Sequence, residues 1–210
     1  WHRAHVVDEY LAANSDLTFE QVRELALNIA TTDSITGGGD TWIMVAEAFR
    51  AAVAADPNDD RNAAVAMLDA WDRHFVAGGP SEWRFGAFRA DAWVLQHEWV
   101  LEVMRLVFED EFMMAGMDVA DQSTNILFNV LLRMLDGPAA PMPALYPWFL
   151  DVTGSGSKPE TLPELILAGL DNTIAAMGLG PYGAPRGEIV YTHQVFGEMW
   201  RTPFSSRSTY

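Results

Sequence analysis

The sequence predicts a mainly α fold with one short strand near its C-terminus. Three observations predict it. Residues 87–114 place Phe88, Ala92, Leu95, Trp99, Val103 and Leu106 at spacings of three and four, the mark of an amphipathic helix. Thr18 with Gln21, and Thr161 with Glu164, stand at capping-box spacing ahead of apolar periodic runs, which starts two further helices. Only in 188–196 (EIVYTHQVF) does the hydrophobic period fall to two, as a half-buried strand requires.

The elements follow in order. Residues 2–13 read as a short helix burying Val6, Val7, Tyr10 and Leu11. The next runs over 19–31, with Leu17 and Val22 at the two staple positions around its cap. Gly37, Gly38 and Gly39 precede Asp40, a good N-cap for a helix over 41–55. The triple glycine is an inter-helix loop and not a phosphate loop: the G-x-x-x-x-G-K-[ST] pattern is missing, and Trp42 stands where G-x-G-x-x-G needs its last glycine. Pro57 to Asp60 open a helix over 61–72 with Val65, Leu68 and Trp71 inward. The long helix over 87–114 turns Asp91, Glu98, Glu102, Arg105 and Glu109 to the opposite side, where Glu102–Arg105 and Arg105–Glu109 are spaced to pair. The carboxylates Glu109, Asp110 and Glu111 read as its solvated end.

Residues 116–122 form a break, and 123–135 form a helix so apolar that it should be largely buried. Pro138, Pro141, Pro143 and Pro147 exclude regular structure until about Leu150, while Tyr146, Trp148 and Phe149 should pack down. Gly154 to Pro159 is the most linker-like stretch. The chain is therefore read as a single helical region, 1–210, with a sub-boundary at 151–160. A last helix occupies 162–177.

Composition narrows the function. A formal net charge of −16 with no basic stripe argues against a nucleic-acid partner. No apolar run is long enough for a membrane span, so no membrane partner is expected. The chain has no cysteine, which removes thiol nucleophiles and disulfides and fits a periplasmic or secreted location. Ser155 and Lys158 match a Ser-x-x-Lys pair by spacing, but they sit in a Gly/Ser loop without the companion motifs. The five histidines (His2, His5, His74, His97, His193) lack H-E-x-x-H spacing, so no metal site is read from them. Trp71-Asp72 reads as a core tryptophan followed by an aspartate that caps or hydrogen-bonds the following loop.

Those last residues also carry a likeness. A helix closing in L-x-x-W-D (68–72), a Gly78-Gly79-Pro80 break with Ser81 beyond it, and a long Trp- and Phe-rich helix resemble the β-chain of the penicillin amidase (penicillin acylase) family. The earlier order of helix, L-T-x-x-Q (17–21) and helix is similar too. The resemblance implies the helical portion of an αββα N-terminal-nucleophile hydrolase. It implies hydrolysis of an amide in a penicillin, cephalosporin or acyl-homoserine-lactone type substrate. The family's nucleophile is a Ser freed by self-cleavage at the start of the β-chain. Since Trp1 is first here, the nucleophile and the oxyanion donors are expected upstream, leaving no catalytic residue in this chain.

Within the likeness Arg3 falls where an Arg helps to orient substrate; a solvated first-turn Arg is the alternative. No cofactor is expected, and a structural calcium of the family would have ligands outside these residues. The expected partners are the remaining α- and β-chain segments and a small amide substrate. The competing reading is a stand-alone acidic helical interaction domain.

Overall fold

The computed structural model describes residues 2–31, 41–79, 82, 87–137, 142–156, 158–159, 161–183, 191–193 and 197–200; for 2–6, 9, 27–31 and the two strands this is the backbone only. It is mainly helical. The elements are α1 (His2–Ala13), α2 (Phe19–Thr31), α3 (Thr41–Ala55), α4 (Asp59–Asp69), α5 (Asp91–Met114), α6 (Thr124–Leu135), α7 (Leu162–Met177), β1 (Tyr191–His193) and β2 (Gly197–Trp200). No helix among the described residues is long and apolar enough to cross a membrane.

The chain forms two compact units. One comprises 1–40, 70–94 and 180–210; the other comprises 41–69 and 95–179, including the whole of the linker-like stretch.

In the first unit, α1 packs on α2. The capping box forms as expected: Thr18 N–H donates to Gln21 Oε1 at 2.8 Å, and Gln21 N–H to Thr18 Oγ1 at 3.3 Å. Of the staple pair, Leu17 is half-buried and Val22 exposed. A small core gathers Val76 and Ala87, with Phe75 packed against them. Beside it Ala77 N–H donates to the Phe88 carbonyl and Ala90 N–H to the Phe75 carbonyl, each at 2.8 Å. That strand-like bridge between Val76 and Arg89 uses the backbone groups an earlier helical turn would need. The long helix therefore starts at Asp91 and not at 87, and Phe88 is 42% exposed instead of lying on the inner stripe. At the other end of this unit the period-two segment holds one strand, β1, and a second strand, β2, follows just beyond it. β1 pairs antiparallel with β2, Tyr191 opposite Trp200 and His193 opposite Gly197. A lone strand would leave its backbone groups unpaired, and the residues just beyond it supply the partner. The Gly37–Gly39 loop and the Asp40 cap lie outside the described residues.

The second unit is built on α3, which packs against α4, α6 and α7. Asn58 Oδ1 accepts from Arg61 N–H at 2.8 Å, so α4 begins at Asp59, two residues before the expected start, and ends at Asp69, before Trp71. Trp99 of α5 is fully buried. Its ring lies 4.6 Å from that of Phe49 and 6.1 Å from that of Trp42. Its indole N–H donates to the Ile166 carbonyl on α7 at 2.9 Å. Leu95 and Val103 share this buried face, while Leu106 is half-buried. Helix α7 approaches closely because Gly169 presents no side chain: a Cβ there would stand 2.6 Å from Val103 Cγ2. The second capping box also forms, Glu164 N–H donating to Thr161 Oγ1 at 3.4 Å.

Helix α6 corrects another expectation. It buries one face, Leu127, Phe128 and Leu131, and leaves Ile126 65% exposed. Asn125, Asn129 and Arg133, one turn apart, mark the outer side, so apolar content overstated its burial.

Candidate functional site

Arg3, the one residue assigned a binding role from sequence, lies in the first turn of α1; its side chain is outside what the structure describes. The Trp71-Asp72 turn is described in full. Trp71 Nε1–H donates to the His74 carbonyl at 2.8 Å, and Asp72 Oδ1 accepts from His74 N–H at 3.0 Å. The turn closes with Arg73 at φ 68°, a conformation uncommon for a residue with a Cβ. Gly79 at φ 87° lies so near that a Cβ would meet Asp72 Oδ2 at 2.9 Å. Asp72 thus holds the loop as its position after the helix suggested, and Trp71 is half-buried. Close by in the same unit, the Arg89 guanidinium lies 4.5 Å over the Trp93 ring, and Asp91 Oδ1 accepts from Tyr182 N–H at 2.9 Å.

Recesses lie among the described residues of the second unit. One, about 350 Å³, lies between α5, the 3-10 turn Val119–Asp121 and α6, with Met104, Arg105, Asp118 and Leu127 among its walls. A more polar one of about 280 Å³ is lined by Glu98, Glu102, Arg105, Asn172 and Thr173. Arg105 borders both. It bonds Glu102 at 2.7 Å and also pairs with Glu109, the two pairs expected from spacing, and Asn172 donates to Glu102 at 2.8 Å. Hydrogen bonding from Arg105, opposed by partial burial, holds the Glu102 carboxyl below its ordinary range. A further recess, about 280 Å³, is an apolar groove of Ala48, Ala51, Ala55, Leu135, Leu162 and Ile166.

The feature that sequence reading missed is the cluster around Lys158. Its ammonium donates to Asp110 Oδ1 at 2.5 Å and to the Val107 and Trp148 carbonyls at 2.8 Å each. Glu111 Oε2 stands 3.5 Å away. Asp110 is 8% exposed, so the end of the long helix is not the solvated carboxylate run expected from its sequence. The spacing gave no sign of this, because the neutralising lysine arrives from 48 residues away. A lone lysine in a chain of −16 net charge was the available hint. With all three of its protons committed, Lys158 is no base for Ser155, whose hydroxyl donates to Asp151 Oδ2 at 3.0 Å. Asp151 also accepts from the N–H groups of Thr153, Gly154 and Gly156 and from the Thr153 hydroxyl. These bonds, the Thr153 hydroxyl first, hold it well below the usual carboxylate range.

Among the described residues, no group of three or more His, Asp or Glu is arranged to hold a metal ion. Comparison with known proteins finds no family model that matches the chain and no curated protein similar to it.

Proposed function

We propose that this chain is the helical portion of the β-chain of a penicillin-amidase-like acylase, a periplasmic or secreted hydrolase of carbon–nitrogen amide bonds. The observation that carries the reading is the L-x-x-W-D turn. Leu68 is anchored in a core, Trp71 and Asp72 both bond to His74, and the chain returns through a short bridge to a long aromatic helix. A mainly helical fold with two locally closed capping boxes supports it. On this reading the N-terminal Ser nucleophile, with its own α-amino group as base, and the oxyanion donors belong to segments outside these 210 residues. Arg3 orients the substrate. The αββα sheet is completed by those same segments.

The test is expression of the complete gene product. Mass spectrometry should find self-cleavage that frees an N-terminal Ser, and acyl-p-nitroanilides or penicillin G should be hydrolysed. Replacement of that Ser by Ala should abolish both. A complete product that stays uncleaved and hydrolyses none of these amides refutes the reading. The 210-residue chain by itself should turn over no amide.

One observation favours a second reading, an acidic interaction domain without catalysis. Met113, Met114 and Met117 are exposed in sequence after the aromatic end of α5, and Leu145 is 94% exposed; methionine-rich apolar surface suits protein partners.

A further inference from the structure

The geometry points to a proton-operated clasp in the second unit: Asp110 and Glu111 share a proton beside Lys158, and that proton decides how firmly residues 148–152 are held on α5. The proposal does not rest on the acylase reading.

It starts from the lysine's inventory. An ammonium has three hydrogens and no acceptor. The three short contacts of Lys158, to Asp110 Oδ1 and to the Val107 and Trp148 carbonyls, use all of them. Glu111, at 3.5 Å, is left with the field of the lysine and no strong hydrogen bond from it. Its side chain is only 11% exposed, and Lys158 is 8% exposed. Glu111 Oε1 is buried without a hydrogen-bond partner. Two adjacent buried carboxylates against one cation leave one negative charge uncompensated, which is costly away from water. Protonating Glu111 removes that charge and supplies a donor, with the neighbouring Asp110 carboxylate as the acceptor within reach.

The charged groups facing Glu111 are Asp110 on its own helix and Lys158 from the following connection; the 148–152 segment meets the cluster through backbone groups. Burial first, then the hydrogen bond to Asp110, pushes the Glu111 carboxyl up to about 7. Burial would also raise Asp110, but its bonds to Glu111, Lys158 and the Val152 N–H outweigh that and hold it below its ordinary value.

The same atoms hold the connection. Trp148 is tied by its carbonyl to Lys158, and its ring lies 5.4 Å from Phe108 and 6.5 Å from Phe112. Val152 N–H donates to Asp110 Oδ2 at 3.1 Å. When Glu111 ionises, it competes with Asp110 and the two carbonyls for the lysine's hydrogens, and the grip on 148–152 loosens. The sign follows from which state binds the proton more tightly. Between the ordinary glutamate value of 4.5 and about 7, the folded chain keeps the proton and the unfolded chain does not. The stability contributed by Glu111 is therefore full below 4.5 and lost as pH rises through 7. Asp110, with its lowered value, acts the opposite way and loses its contribution only in acid.

The experiment uses the full chain, isotope-labelled, with denaturant melts at pH 5.5 and 8.5 and amide exchange at Val152. The Glu111 carboxyl carbon should titrate near 7. The melting midpoint should fall from pH 5.5 to 8.5. Protection of the Val152 amide, corrected for intrinsic exchange, should drop by about tenfold or more, the factor that one pH unit of titration displacement carries. Glu111→Gln, which mimics the protonated carboxyl, should flatten both responses. Asp110→Asn should lose Val152 protection at both pH values. Titration of Glu111 in the ordinary range near 4.5, or an unchanged pH response in Glu111→Gln, overturns the clasp. The wild-type carbon titration decides the matter even if a variant folds poorly.

Discussion

Replacing Trp99 by alanine tests the centre of the second unit. The indole is fully buried, lies against Phe49 and Trp42 and donates its one N–H to the Ile166 carbonyl at 2.9 Å. Truncation leaves a cavity bounded by two other rings, which cannot collapse easily. The expected cost is roughly 3–5 kcal/mol for a buried Trp→Ala change. Trp99→Phe keeps most of the ring volume and loses the hydrogen bond, so it should cost on the order of 1 kcal/mol. Glu98, about 100° round the helix, has a side chain 47% exposed, and Glu98→Ala should change stability by about 0.5 kcal/mol or less. Urea melts followed by far-UV circular dichroism give the three values. Since domains hold together by only ~5–15 kcal/mol, Trp99→Ala should shift the midpoint visibly or abolish the transition. Equal midpoints for Trp99→Ala and Glu98→Ala would refute the helix phase and the packing built on it.

Gly169→Ala should destabilise by about 1–3 kcal/mol through overpacking against Val103, although alanine normally stabilises a helix interior; partial rescue in a Gly169→Ala, Val103→Ala double variant is the check. Arg61 bonds Asp56 at 2.7 Å and Asp171 on α7 at 2.6 Å, so Arg61→Ala should cost about 1–2 kcal/mol in a melt, discounted for its exposed partners. Arg61→Lys should restore little of that, because a single ammonium cannot make the bidentate contact to Asp171. On the acylase reading, Arg3→Ala in the complete gene product should raise KM for the amide substrate severalfold with folding unchanged; equal KM values would leave Arg3 a solvated first-turn residue.

What was legible in the sequence is what adjacent residues decide among themselves. Thr18 with Gln21, and Thr161 with Glu164, are three residues apart, and both caps form at the expected places. The phase of α5 around Trp99 and Glu98 is likewise a local pattern, as are the Arg105 pairs one turn apart. Asp72 bonds a backbone group two residues on, so its role could be read from position alone. The start of α5 was misread because its cause is not local: Phe88 and Ala90 pair with Ala77 and Phe75 across a glycine loop, which no helical periodicity registers.

The Lys158 cluster was illegible for the same reason, with a sharper consequence. Three consecutive acids at the end of a helix normally face water, and a helix C-terminus disfavours negative charge. Here Asp110 is instead carried inward by the same helical phase that buries Val103 and Val107, and a buried carboxylate needs a cation or a proton. One lysine supplies the first. Its other hydrogens go to the Val107 carbonyl on α5 and the Trp148 carbonyl on the proline-rich connection, so the second carboxylate, Glu111, needs the proton. The long helix, the distant lysine and the connection each look ordinary alone; their conjunction leaves a carboxyl that burial and the neighbouring Asp110 push up to about 7. Where a chain this acidic buries its only lysine, the carboxylates around that lysine are the first place to look for pH dependence.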